Sequence, residues 1–238
     1  MGSSRLPGKT MMPVYQGMPL LECVVCRFRA CRNVDEVVVA TTTEKGDDLI
    51  AEWCANNGVS CFRGSEEDVL SRVAAAVQEY RGDIVVQMGA DSAYLDFELI
   101  DTLVEHYRKG NFDYVCNDLV LTYPLGIYGH VVRAETLAGL DRRADLSPKD
   151  RGDVVRHIFE HPGQYRLSNV EAAGELRCPE LRLTIDYPED MEQARQVYAH
   201  FGNALFTTAQ VLELYRREPG IFEKTKNLVQ QSAPFIKK

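Results

Sequence analysis

The sequence has 238 residues, 27 basic against 35 acidic, a formal charge of −8 and 45% apolar side chains. That composition excludes disordered, collagen-like and coiled-coil classes, and no run approaches the roughly 18 uninterrupted apolar residues that span a bilayer. The acidic balance argues against an extended nucleic-acid footprint, which is normally basic, yet leaves room for a local basic pocket.

In chain order, residues 34–41 (VDEVVVAT) read as a buried strand and 48–57 as a helix ended by Gly58. Residues 59–62 form a short strand, and 66–80 a helix with Val69, Leu70, Val73 and either Ala76 or Val77 on one face. A continuous apolar strand follows at 83–88 (DIVVQM), then a helix over 96–109 stopped by Gly110, and a strand at 113–117. Tyr123-Pro124-Leu125-Gly126 is a turn. Beyond it come a strand at 130–133, helices at 134–140 and 148–161, strands at 165–170 and 181–185, and helices at 188–201 and 207–217. Strand–helix alternation of this kind predicts an α/β fold with a mostly parallel sheet covered by helices. No repeat or low-complexity linker divides the chain, so one domain is expected over 1–238, with a C-terminal helical extension from 203.

Met1-Gly2-Ser3-Ser4-Arg5 runs directly into Leu6-Pro7-Gly8-Lys9, which is not a signal-peptide pattern. The seven cysteines (Cys23, Cys26, Cys31, Cys54, Cys61, Cys116 and Cys178) lie mostly within apolar periodic segments. They read as small hydrophobes in a reducing compartment, so a cytoplasmic protein is expected. Cys23-Val24-Val25-Cys26 is a lone pair without a second one in zinc spacing.

Five segments could carry chemistry. Residues 2–9 (GSSRLPGK) join small residues, two cations and a Pro-Gly turn, the composition of a triphosphate cradle; the alternative is an ordinary polar terminus. Asp91 follows the strand DIVVQM through a Gly89-Ala90 turn, and Asp186 ends the run LRLTI; acids at the carboxyl ends of strands sit where α/β sheets bind ligands. Together with a triphosphate they would suit Mg²⁺, although each also reads as a turn or cap acid. Arg63-Gly64-Ser65-Glu66-Glu67-Asp68 lies between a strand and a helix, with Ser65 as the expected N-cap, and Arg63 and Arg72 within reach of a nucleotide. His157-Ile158-Phe159-Glu160-His161 matches H-x-x-E-H, but Pro162-Gly163 ends the helix at once and no third zinc ligand is identifiable.

Taken together, G-S-S-R-L-P-G-K, V-D-E-V-V-V-A-T-T-T, F-R-G-S-E-E-D-V-L-S-R and L-T-I-D-Y-P-E-D-M are similar to the SpsF-type cytidylyltransferases, relatives of the CMP-Kdo and other CMP-sugar-acid synthetases. The resemblance spans about residues 2–202. It implies a Rossmann-like three-layer α/β/α sandwich of the nucleotide-diphospho-sugar transferase type. It implies Mg²⁺-dependent transfer of CMP from CTP to a small acidic sugar or related acceptor, with pyrophosphate released, in surface polysaccharide precursor synthesis. By position, Ser3, Ser4, Arg5 and Lys9 would lie in the triphosphate loop, with Arg5 and Lys9 stabilising the leaving pyrophosphate. Arg63, Ser65 and Arg72 would lie near the nucleotide, Asp91 would be catalytic, and Asp91 and Asp186 would hold the metal. Related enzymes are commonly dimers, so a homodimer is a further expectation; neither nucleic acid nor membrane insertion is expected.

Two departures from the family pattern matter. Its members carry an apolar first strand before the small-residue loop; no such strand precedes Ser3 here, so the fold is expected to lack it, and a substitute strand or a partner chain would have to offset the loss. Where the family often reads Y-P-D-G-L-D-V-E-V, this sequence has Tyr123-Pro124-Leu125-Gly126-Ile127-Tyr128-Gly129-His130-Val131, replacing two acids with Leu125 and Tyr128 and the Glu position with His130. That region helps define the acceptor side. The rival readings are a catalytically impaired nucleotide-binding or assembly protein of this fold, and a glycosyltransferase using a nucleotide-sugar donor.

Overall fold

The computed structural model describes residues 5–228. After a 3₁₀ turn at Lys9–Met11, strands β1 (Pro13–Tyr15) and β2 (Met18–Pro19) make a small antiparallel hairpin. Its turn residues Gln16 and Gly17 both have positive φ, 47° and 82°, as a tight hairpin turn demands. The sequence reading did not anticipate this hairpin. Helix α1 (Leu20–Arg29) leads to β3 (Val38–Thr42), α2 (Asp48–Asn56), β4 (Ser60–Gly64), α3 (Val69–Glu79) and β5 (Ile84–Gln87). Then come α4 (Phe97–Lys109), β6 (Tyr114–Cys116), β7 (His130–Arg133), α5 (Ala134–Asp141), α6 (Pro148–Arg151), α7 (Arg156–Glu160), β8 (Leu167–Asn169), α8 (Pro188–Phe201) and α9 (Thr208–Arg217).

Successive strand residues point to opposite faces, and here both faces are covered. Ile84 and Val86 of β5, Val115 of β6 and Val131 of β7 pack into a large core with residues of α1, α4, α8 and α9. Their neighbours Val85, Tyr114, Cys116 and Val132 pack on the other side with residues of α3, α5 and α7. The result is a three-layer sandwich, as expected. The sheet departs from the expected parallel pattern: β7 lies between β5 and β6 and runs antiparallel to both, while β8 is parallel to β6.

Strands β3 and β4 pair in parallel as a separate half-sheet. Among the described residues, β3 pairs only with β4 and β5 only with β7. Among the described residues the sheet is therefore interrupted between β3 and β5 and stands as two half-sheets. Burial records it: the residues of β3 and β5 are almost all half-buried, whereas β6 is buried throughout. Helices hold the halves together. On one face α1 places Leu20 and Val24 in the large core and Leu21 and Val25 in a smaller one with Val39, Ile50 and Cys54. On the other, α3 packs against β3 and β4 while Val69, Val73 and Val77 join the cluster that holds Val85.

Local capping explains other differences. The segment 148–161 is two helices: Ser147 and Asp150 form a capping box for α6, and Asp153 Oδ1 accepts the Val155 and Arg156 amides at the start of α7. Residues 181–185 are not a strand but make one parallel bridge, Leu125 to Arg182. Pairing goes no further because Gly126, at φ 101°, turns the chain away; a Cβ there would lie 2.4 Å from the Leu183 carbonyl oxygen. Cys23 and Cys26 sit on α1, and burial pushes the Cys23 thiol up to about 12, as befits a core side chain.

Candidate active site

At the carboxyl end of β5 the chain turns through Gly89 to Asp91 and into a segment pinned from three sides. Arg27, wholly buried on α1, donates Nε–H to the Leu95 carbonyl at 2.6 Å and its two Nη groups to the carbonyls of Ala204 and Phe206. The Tyr198 hydroxyl of α8 donates to the Ala93 carbonyl at 2.5 Å. Asp96 caps two helices: Oδ1 accepts the Glu98 and Leu99 amides of α4, and Oδ2 accepts the Thr208 amide of α9 at 2.6 Å. Apolar burial of Ala93, Tyr94 and Leu95 completes the support. Asp91 is thus carried by an anchored turn.

Lys9 meets it there. Its Nζ donates to Asp91 Oδ2 at 2.5 Å and to the Ile185 carbonyl at 2.6 Å, and lies 3.6 Å from Asp186 Oδ1. Arg5 Nη2 donates to Asp186 Oδ1 at 2.8 Å, and its guanidinium stands 5.2 Å from the Tyr187 ring. Arg182 approaches Asp186 Oδ2 at 3.2 Å and grips Asp190 through two bonds of 2.8 Å. Asp190 in turn accepts the backbone amides of Asp186 and Tyr187, which aims Asp186 at the cations. Asp186 is therefore an ion-pair acid, and the capping alternative falls to Asp190. Arg5 Nη1 is buried without a partner among the described residues.

The structure brings Arg5, Lys9, Asp91 and Asp186 into one network. Ser3 and Ser4 lie outside the described residues. Arg63, Ser65 and Arg72 form a second group at the end of β4. Arg63 donates to the carbonyls of Thr42 and Glu44 and pairs with Asp48, stapling the loop after β3. Ser65 is not the N-cap: Asp68 holds that place, accepting the Ser71 amide, while Ser65 Oγ accepts the Asp68 amide. Arg72 packs against Gly64 and donates to the Ser65 carbonyl; its Nε is buried without a partner among the described residues. The H-x-x-E-H pattern has a structural explanation. His157 Nε2 lies 3.0 Å from the Arg143 guanidinium, and the two imidazoles stack at 3.9 Å. A cation holds the nitrogen that a zinc would need.

Asp91 and Asp186 also line a cavity of about 380 Å³ with Gln87, Asp118, Tyr128 and His130. The antiparallel course of β7 is what brings His130 here. Being the first residue of that strand, it lies at the end where β5 and β6 finish, opposite Gln87 in the register. His130 Nε2 is 3.1 Å from Asp118 Oδ2, and Nδ1 is 3.3 Å from Gln87 Oε1. The Tyr128 hydroxyl accepts from the Gly89 amide and from Ser92 Oγ, both at 3.1 Å, and burial beside Asp91 raises its pKa. Sequence reasoning missed Asp118 and Asp153, another lining acid. The signal for Asp118 was present, since it follows a buried strand as Asp91 does.

With this geometry in place, comparison with known proteins is decisive. The family model for Cytidylyltransferase matches residues 1–231. The chain belongs to the cytidylyltransferase family. As a family member it is 34% identical over 225 residues to the spore coat polysaccharide biosynthesis protein SpsF of Bacillus subtilis, covering 92% of each chain. It is 28% identical to a 3-deoxy-manno-octulosonate cytidylyltransferase of Anaeromyxobacter sp. strain K, over 83% of this chain and 94% of that one. Among solved structures, a cytidylyltransferase from Leptospira borgpetersenii superposes with a TM-score of 0.86 at 29% identity, over 98% of this chain and 95% of that one. The Rossmann-like nucleotidyltransferase fold is thereby shared. No helix among the described residues is long and apolar enough to cross a membrane.

Proposed function

We propose that this family member transfers CMP from CTP to a hydroxyl of a sugar-derived acceptor, releasing pyrophosphate, in the making of a surface polysaccharide precursor. The observation that carries the reading is Lys9 Nζ set between the carboxylates of Asp91 and Asp186 at one end of the cavity, with Arg5 beside them. The reaction forms a bond from the acceptor oxygen to the α-phosphorus and breaks the α–β phosphoanhydride. The leaving pyrophosphate takes the electron pair, and the acceptor hydroxyl gives up its proton. Lys9 and the unpartnered Nη1 of Arg5 would receive the negative charge that develops on the leaving group. The anchored 89–96 segment would hold its acid in place throughout.

Asp91 and Asp186 offer hard carboxylate oxygens, the donor type that Mg²⁺ takes, and Lys9 would have to yield its place between them. Asp91 and Asp186 would hold the metal, and when bound it would neutralise phosphate charge. Ser3, Ser4, Arg63, Ser65 and Arg72 are proposed to face the nucleotide, and a homodimer in the cytoplasm is the proposed state. Pyrophosphate release measured with each of the four nucleoside triphosphates, Mg²⁺ and a panel of sugars tests the reading. Release that requires CTP and acceptor, and that vanishes in Asp91→Ala, is expected. CTP binding without turnover would instead favour a nucleotide-binding protein, and turnover of a nucleotide-sugar without CTP a glycosyltransferase.

A further inference from the structure

We propose that Lys9 guards the divalent-ion site of this protein: its ammonium stands where the two acids would hold the ion, and it leaves when a triphosphate draws it away. Nucleotide and ion then each raise the affinity for the other. The inference rests on the CMP-transfer reading and concerns how that site fills.

The contacts of Lys9 Nζ are those of a bound cation. It donates to Asp91 Oδ2 at 2.5 Å and to the Ile185 carbonyl at 2.6 Å, and Asp186 Oδ1 lies 3.6 Å away. Oxygens from two distant segments thus surround one charge, and the side chains of Lys9 and Asp186 are only 11% and 9% exposed. Carboxylate and carbonyl oxygens are also what a hard divalent ion takes. The network is electrically closed as it stands. Asp91, Asp186 and Asp190 face Lys9, Arg5 and Arg182, three acids against three cations. A divalent ion brought into that network would add positive charge to a neutral cluster, and it would stand against Nζ at the same carboxylate oxygens.

A triphosphate changes the balance. Its oxygens are anionic acceptors for an ammonium, and such charge-assisted bonds are strong. Lys9 can turn to them with its backbone in place. Leu6 is buried in the large core, the Lys9 amide donates to the Leu6 carbonyl at 3.2 Å, and the Lys9 carbonyl accepts the Met12 amide at 3.0 Å. The turn is therefore fixed, while the unbranched lysine stem can swing. The acids cannot follow. Asp91 belongs to the segment that Arg27, Tyr198 and Asp96 anchor, and Asp186 is aimed by the bond from its amide to Asp190. Once Nζ has left, the two carboxylates share less compensating charge, and like charges held together favour a cation between them. Lys9 is the movable part of the site and the acids are its fixed part. The coupling is reciprocal, so the ion in turn holds the nucleotide.

Binding of Mn²⁺, a paramagnetic substitute for Mg²⁺, is followed through the free-ion EPR signal, with and without CTP and with no acceptor present. Without CTP, Lys9→Met is expected to bind Mn²⁺ about tenfold more tightly than the unaltered protein, the scale of an ordinary coupling between two ligands. A residue that only supports the fold, or that only stabilises the leaving group, would give no such gain. Adding Asp91→Asn to Lys9→Met should remove the gain, which places the ion at these acids. With saturating CTP the unaltered protein and Lys9→Met should converge, because CTP has already displaced Lys9; chelation by CTP itself is common to both and cancels in the comparison. Lys9→Gln reads the same differences should Lys9→Met misfold. Equal or weaker Mn²⁺ binding by the variants without CTP, a gain that survives Asp91→Asn, or a gain undiminished by CTP would overturn the inference. Failure of the unaltered protein to bind CTP would instead overturn the CMP-transfer reading, a result separate from the CTP-free comparison.

Discussion

Lys9 Nζ lies 2.5 Å from Asp91 Oδ2, joining two residues 82 positions apart and placing one cation between two acids. Replacing it with a neutral isostere, Lys9→Met, leaves Asp91 and Asp186 facing each other with their shared cation gone. Pyrophosphate release is expected to fall at least about 100-fold, the scale seen when one preorganised charge-stabilising donor is lost. Steady-state kinetics with Lys9→Arg as the charge-conserving control checks it; unchanged turnover in Lys9→Met would remove Lys9 from the mechanism.

Arg27 is the structural counterpart, a buried guanidinium that serves three carbonyls and stands 4.2 Å from the Phe206 ring. Arg27→Met strands those acceptors, and a loss of about 3 kcal/mol is expected from unpaired buried polar groups. For a chain of this size that is a fall in Tm of about 10 °C, read by thermal denaturation. Activity should drop with it because Leu95 belongs to the segment that carries Asp91.

Gly126 and Gly139 make an opposed pair. Alanine at 126 would need φ near 101° and a Cβ 2.4 Å from the Leu183 oxygen, whereas position 139, inside α5, has open space. Gly126→Ala should break the bridge beside the cavity and abolish turnover. Gly139→Ala should stabilise by about 0.5 kcal/mol through helix propensity. Urea denaturation and activity of the two variants are compared.

His157 titrates below the usual imidazole range because it is buried and stands beside His161 and the Arg143 guanidinium. With a folded-state pKa lower than that of the unfolded chain, about 6.5, the unfolded state takes up the proton first. Its contribution to stability is therefore complete above about pH 7 and is lost as pH falls below 6.5. His157→Gln should flatten the pH dependence of urea stability in that window; an unchanged slope would show that the group does not report on folding.

The break between the half-sheets has a dynamic consequence. Backbone amides of β3 and β5 on the sides that face no partner strand should exchange with deuterium far faster than those of β7, which is paired on both sides. Residue-level hydrogen exchange reads this directly, and equal protection of all three strands would argue that another chain segment covers the edges.

Much of this was legible in the sequence because it depends on neighbours. Helix α8 starts at Pro188, α4 at the Asp96 cap and α9 at the Thr207–Gln210 capping box, all local signals. Asp91 and Asp186 could be marked as site acids because each follows an apolar run. Local rules failed where contacts at long range decide. Whether 181–185 becomes a strand depends on Gly126, and whether Ser65 or Asp68 caps α3 depends on which carboxylate or hydroxyl reaches the amide.

The sequence by itself determined the α/β alternation, the acids at strand ends and the family resemblance, since periodicity, caps and motifs are written in consecutive residues. Only the tertiary structure decided that β7 runs against its neighbours and so delivers His130 to the site. It alone set Lys9 between two acids from distant segments, and it alone left Asp118 Oδ1 buried without a partner among the described residues. The physical reason is common to all three: charge compensation and hydrogen-bond satisfaction depend on which groups meet in space, and a net charge of −8 does not say where the uncompensated acids lie.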